Sequence, residues 1–190
     1  AAYVYTSTVV FVDASSSYRR TSVDVTDITG TLTITSGKLW GCLFYSDGEV
    51  SDAVVNIINS KVAVFGAVDD ASSRFFMLMN ATHNITLNVD GTSTIEVQSG
   101  LSMEAALFYF DPVAGATTEY VTVLAAKGAT ISLIPGSSGQ EAAFFIVDSG
   151  NLQHTHSNFS GCTLAGNTGF WFRSAHATDT TSINNTFALS

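Results

Sequence analysis

The chain has little cysteine, proline or positive charge and no long apolar run, and each shortage excludes something. Two cysteines, Cys42 and Cys162, cannot build a disulfide-dense scaffold, and no C-x-x-C pair provides metal-ligand spacing. They form one bridge or remain two buried thiols. Pro occurs only twice, so turns must come from the abundant Gly, Ser, Thr, Asn and Asp. Seven Lys and Arg stand against sixteen Asp and Glu, a formal net charge of −9. Nucleic acid and anionic membrane both demand a basic surplus, so neither is expected as a partner. No apolar run reaches the roughly 18 residues of a membrane span. Charged residues are only 12% and hydrophobic ones 46%, the reverse of a disordered chain. At 190 residues, a single domain over 1–190 is expected.

The chain starts Ala1-Ala2-Tyr3, small residues of the kind that a signal peptidase leaves behind. Four N-x-[ST] triplets follow: Asn80-Ala81-Thr82, Asn84-Ile85-Thr86, Asn158-Phe159-Ser160 and Asn184-Asn185-Thr186. Together they predict a secreted, extracellular protein with N-linked glycans at Asn80, Asn84, Asn158 and Asn184.

What is abundant is β-forming sequence with a repeat. An aromatic-apolar run closing on an acidic or amide residue recurs along the chain. It appears as Val9-Val10-Phe11-Val12-Asp13, Leu43-Phe44-Tyr45-Ser46-Asp47 and Phe75-Phe76-Met77-Leu78-Met79-Asn80. It returns as Leu107-Phe108-Tyr109-Phe110-Asp111 and Phe144-Phe145-Ile146-Val147-Asp148, with a weaker copy at Phe170-Trp171-Phe172-Arg173-Ser174. From Phe11 through Phe44, Phe76, Phe108 and Phe145 to Phe172, the steps are 33, 32, 32, 37 and 27 residues. Two more strand-like runs lie between successive anchors, the first set including 53–58, 84–89 and 120–124. The second set includes 61–65, 94–97 and 130–134. Only Ser102 to Leu107 is compatible with a helix, and it is one turn long.

Repeats of this length mark a solenoid, and three strands per repeat point to a right-handed parallel β-helix of about six turns. The four phenylalanines Phe44, Phe76, Phe108 and Phe145 then form one inward ladder. The alternative all-β fold is a β-sandwich or jelly roll, which holds only about eight strands. The cysteines discriminate. Cys42 is expected near the second turn and Cys162 near the sixth, about 19 Å apart at about 4.8 Å per layer. A bridge requires Cα atoms within about 7 Å, so a Cys42–Cys162 disulfide would favour the sandwich.

Several residue groups invite a chemical reading. The series Asp13, Asp47, Asn80, Asp111 and Asp148 is expected to form a column at one corner, capping turns rather than binding calcium. Asp69 and Asp70 beside Arg74 could serve a polysaccharide-cleaving site, and equally belong to a solvated turn. His154 and His156 share a strand face if alternation holds, with His176 or His83 as a further ligand, but nothing fixes a metal set. Trp40 and Trp171 lie in apolar runs and read as core. No nucleophile motif or phosphate-binding loop occurs. No enzyme activity, cofactor or metal is expected.

The repeat resembles the broad class of extracellular parallel β-helix proteins, which includes surface adhesins, autotransporter-like passengers and pectate-lyase-like enzymes. That resemblance implies an extracellular setting and roles in adhesion or fibre building. The first expectation is therefore a structural subunit that self-assembles through its terminal strands into a filament or surface layer. Tyr3, Tyr5, Val9 and Phe11 at one end, and Ile183 and Phe187 at the other, would carry end-to-end stacking or strand donation. A monomeric adhesin or carbohydrate-binding module, and a polysaccharide-active enzyme, are the alternatives.

Overall fold

Each repeat folds into one coil of short strands, because an alternating apolar strand buries one face only when a neighbour covers it. The computed structural model describes residues 12–14, 18–20, 22–34, 40–69, 71–101, 103–112, 116–136, 142–148, 150–166, 170–174, 181–183 and 186–188. The first coil comprises β1 (Val12–Ala14), β2 (Tyr18–Arg19), β3 (Ser22–Thr26) and β4 (Thr29–Ile34). The second comprises β5 (Trp40–Ser46), β6 (Val50–Ile58) and β7 (Lys61–Gly66). The third has β8 (Ser72–Leu78), β9 (Thr82–Val89) and β10 (Thr94–Gln98). The fourth has β11 (Ala105–Phe110), β12 (Thr117–Ala125) and β13 (Thr130–Ile134). The fifth has β14 (Ala142–Val147), β15 (Asn151–Gln153), β16 (His156–Asn158) and β17 (Thr163–Ala165). β18 (Phe170–Ser174), β19 (Thr181–Ile183) and β20 (Thr186–Ala188) close the described chain.

Three parallel sheets run along the stack. The first has the order β1-β5-β8-β11-β14-β18, and the third β17-β13-β10-β7-β4. The second follows β19-β15-β12-β9-β6-β2, with β3 on β6 and β16 between β12 and β20. The protein is thus an all-β parallel solenoid, and no helix occurs among the described residues. Coils two to five make a regular body of about four turns, fewer than the six expected; the outer coils are described only in part. Of the expected helical turn at 102–107, Ser102 lies outside the described residues, and from Ala105 the chain is instead strand β11, which pairs with β8 and β14 on its two sides. Tertiary pairing overrides the local helix preference of Ala105-Ala106-Leu107.

The inward ladders form as the repeat predicts. Phe44 pairs with Phe76, Phe76 with Phe108, and Phe108 with Phe145. Their ring centroids lie 4.8, 4.4 and 5.5 Å apart, with interplanar angles of 18°, 4° and 22°. Such burial contributes roughly 1.5–3 kcal/mol per ring. The backbone of β18 continues the row at Phe172. At the other end the row is offset: Val12, one residue after Phe11, pairs with Phe44. In the second sheet the buried ladders include Val55, Leu87 and Val123; in the third, Val64, Val97 and Leu133. A few polar side chains, Thr82, Thr118, Thr155 and Ser157, are buried among these ladders.

Glycine sets the spacing where the third sheet turns into the first. A Cβ on Gly100 would lie 1.8 Å from the Val68 carbonyl oxygen, and one on Gly136 would lie 1.8 Å from that of Gly100. Both obstacles are backbone, so neither corner admits a side chain without moving the coil beneath it.

Cys42 lies in β5 and Cys162 immediately before β17, and neither is in a disulfide. Cys162 therefore belongs to the fifth coil, not the sixth. The two are three layers apart, about 14 Å at about 4.8 Å per layer.

Candidate functional site

The outer face of the second sheet gathers most of the exposed chemistry. Strand alternation is interrupted there once per coil by a residue with positive φ: Arg20, Asp52, Asn84, Tyr120 and His154, all between 52° and 58°. Asn and Asp tolerate this conformation because their short side chains bond locally. Here Asn84 Nδ2 donates to Asp52 Oδ1 at 2.7 Å in the coil below. In the next coils rings take over. Tyr120 stacks on His154 at 5.0 Å and 9°, and His83 meets Tyr120 edge-on at 5.3 Å. His83 Nδ1 lies 2.8 Å from Glu119 Oε1. The result is an exposed polar and aromatic ridge parallel to the stack.

Across the same face runs a row of amides. Asn56 Nδ2 donates to Asp24 Oδ1, and Asn88 Nδ2 donates to Asn56 Oδ1, each at 2.7 Å. The row continues through Leu124 to Asn158. Beside it an open groove of about 450 Å³ is lined by Asn56, Asn88, Asn158, Ile58, Leu124 and Asp90, among others. Asp90 sits at the corner towards the third sheet. Burial raises its pKa, but hydrogen bonds from the Ser93 hydroxyl, the Asn59 and Thr92 N–H groups and the Thr92 hydroxyl outweigh it. The net direction is down.

A second cluster lies on the outer side of the first sheet. Arg74 is buried and donates to the carbonyl oxygens of Ser73 and Glu104, and its Nη2 lies 3.3 Å from Glu104 Oε1. Its guanidinium stands 4.8 Å over the Tyr109 ring. Tyr109 donates its hydroxyl to Asp148 Oδ2 at 2.9 Å. Burial pushes the phenol well above its ordinary value; Asp148 and Asp111 push the same way, and Arg74 opposes them.

Several expected groupings come apart. Asp111 and Asp148 do stand in register, each directly after paired residues Phe110 and Val147. Asn80 is one residue beyond that row, since Leu78 pairs with Phe110, and Asp13 is two before it, since Asp13 pairs with Tyr45. Asn80 instead caps its own turn, with its Oδ1 accepting the Ala81 N–H. Asp47, after Ser46, shares the row of Asp111 and Asp148, so three of the five form a column, while Asn80 and Asp13 stand at different distances from the paired strand residues and fall outside it. Arg74 is engaged with Glu104, while Asp69 is exposed in the preceding turn and Asp70 lies outside the described residues. His154 has φ 53°, which breaks the alternation that would align it with His156. Among the described residues no group of three His, Cys, Asp or Glu could hold a metal. His176 lies outside the described residues, as do the side chains of Trp40 and Trp171.

Of the sequon residues, Asn84 is exposed on the ridge, and Asn80 and Asn158 are half-buried. Asn158 Oδ1 accepts the Ser160 N–H. Asn184 lies outside the described residues, as do Tyr3, Tyr5, Val9 and Phe11. The backbone of Ile183 pairs with Gln153 on an outer row, and that of Phe187 with Ser157 on an inner one. Burial pushes the Cys162 thiol up, and a backbone hydrogen bond partly offsets it.

Sequence reading passed over the amide row, the ridge and the Arg74–Tyr109 pair. A signal for the first was present: Asp24, Asn56 and Asn88 share the 32-residue step of the phenylalanines. In comparisons with protein-family models, curated proteins and solved structures the chain has no match, so the reading of its function starts from this geometry.

Proposed function

We propose that the protein is a secreted, N-glycosylated structural subunit that assembles end to end into an extracellular filament or surface layer. One observation carries this reading. Every strand pairing is parallel and coil-to-coil, and among the described residues the outermost strands β1, β4, β17 and β18 each have a partner on one side only. A strand in that position offers a row of backbone donors and acceptors to another chain. A head-to-tail contact of this kind does not close on itself, so it extends into a fibre. Three sequon residues on the flanks and corners, rather than in the inward ladders, are compatible with glycans beside such a fibre. Negative-stain microscopy and size exclusion of native material test the assembly, and intact mass before and after deglycosylation tests the glycans. Unbranched fibres with a 4.8 Å axial repeat in diffraction are expected. A monomer that persists at the highest attainable concentration overturns the proposal.

A further inference from the structure

The geometry points to the groove on the outer face of the second sheet as a binding site for a neutral, extended β-linked polysaccharide chain lying parallel to the solenoid axis. The amide row defines the site. Its first two amides donate towards the first coil, from Asn88 to Asn56 and from Asn56 to Asp24. In the next coil the row holds Leu124, which has no amide to donate to Asn88 Oδ1. One coil further, Asn158 has its Oδ1 engaged by the Ser160 N–H, and its Nδ2 remains a donor. Leu124 is 39% exposed and thus lies between an amide acceptor and an amide donor, about 10 Å apart across two layers. A pyranose ring fits this order of groups: one apolar C–H face over the leucine, and hydroxyls at both ends that donate and accept.

The lining also selects charge and shape. Asp90 is the charged residue among those lining the groove, and its carboxylate is already engaged by Ser93, Thr92 and Asn59. Among the described residues no Lys or Arg lines the groove, and the chain carries a net charge of −9, so an anionic polymer is disfavoured. The site is a sheet face and not an edge, so a peptide cannot add to it as a strand. A groove of about 450 Å³ lined by residues of four successive coils suits a straight ligand that runs along the stack.

The test uses the full chain produced without glycosylation, because a glycan on Asn158 would stand in the groove. Cellohexaose and chitohexaose are titrated by calorimetry and by amide chemical shifts, with oligogalacturonate as the anionic comparison. Binding of a neutral hexasaccharide is expected, with shifts centred on Asn88, Leu124 and Asn158. Leu124→Lys, an exposed change checked for folding by circular dichroism, should weaken binding at least tenfold. Leu101→Ala, on another corner, should leave it unchanged. Absence of binding by both neutral sugars, tighter binding of oligogalacturonate, or wild-type affinity in Leu124→Lys each overturns the assignment. Filament formation is read separately, and a glycan found on Asn158 of native material would also overturn the assignment, since Asn158 lines the groove.

Discussion

Tyr120 and His154 hold a backbone conformation that a bulky L-residue rarely adopts. They are held there because the coils below make the same bend at Asn84 and Asp52, and their rings stack on one another. Position in the stack thus outweighs the preference of the single residue. Tyr109 shows the same priority in its proton chemistry. Its phenol is held protonated by burial and by the acidic neighbours Asp148 and Asp111. Below about pH 10.0 the phenol is neutral in both folded and unfolded chains, and it contributes no pH dependence. Above that value the unfolded chain ionises while the folded chain keeps its proton, so stability falls as pH rises. Urea unfolding between pH 8 and 11 should therefore show an alkaline decline that is shallower in Tyr109→Phe. At neutral pH that variant should lose roughly 1–3 kcal/mol, because Asp148 loses a donor. Equal alkaline slopes in the two proteins would show that the phenol ionises freely in the fold.

At the scale of the strand, the ladder is the unit of stability. Phe108 is fully buried between Phe76 and Phe145. Phe108→Ala removes one ring from the middle of the row and should destabilise by about 3–5 kcal/mol, read as a lower urea midpoint. A loss below 1 kcal/mol would mean that the row collapses to fill the gap. This ladder was legible in the sequence, because inward residues of equivalent strands recur at the coil length, as Phe44, Phe76 and Phe108 do. The third-sheet strands were legible for the same reason. The Asx column was legible for Asp47, Asp111 and Asp148 and misread for Asp13 and Asn80, because a residue at a strand's end is not held at a fixed distance from the inward ladder. The left-handed residues were hidden for a different cause: Asp52, Asn84, Tyr120 and His154 share a backbone torsion and no side-chain type. Arg74 and Tyr109 were hidden because both faces of the first sheet are buried, and a strand buried twice shows no alternation.

For the whole molecule, the spacing of coils decides which distant residues can meet. Cys42 and Cys162 are three layers apart, so native material should contain two thiols and no bridge between them. Alkylation in denaturant without reductant should add two groups per chain. In the native state Cys162 should react slowly, since burial disfavours its thiolate. An intrachain disulfide between them in native material would be incompatible with the stack.

The matched registers along each sheet carry one last consequence. From Phe44 to Phe76 to Phe108 the chain makes two circuits of equal length, and each circuit presents its successor with nearly the surface it received. A duplicated or excised circuit of 32 residues would leave its neighbours facing familiar partners. Relatives of this chain should accordingly differ in height by whole storeys, while single-residue gains and losses gather at the corners.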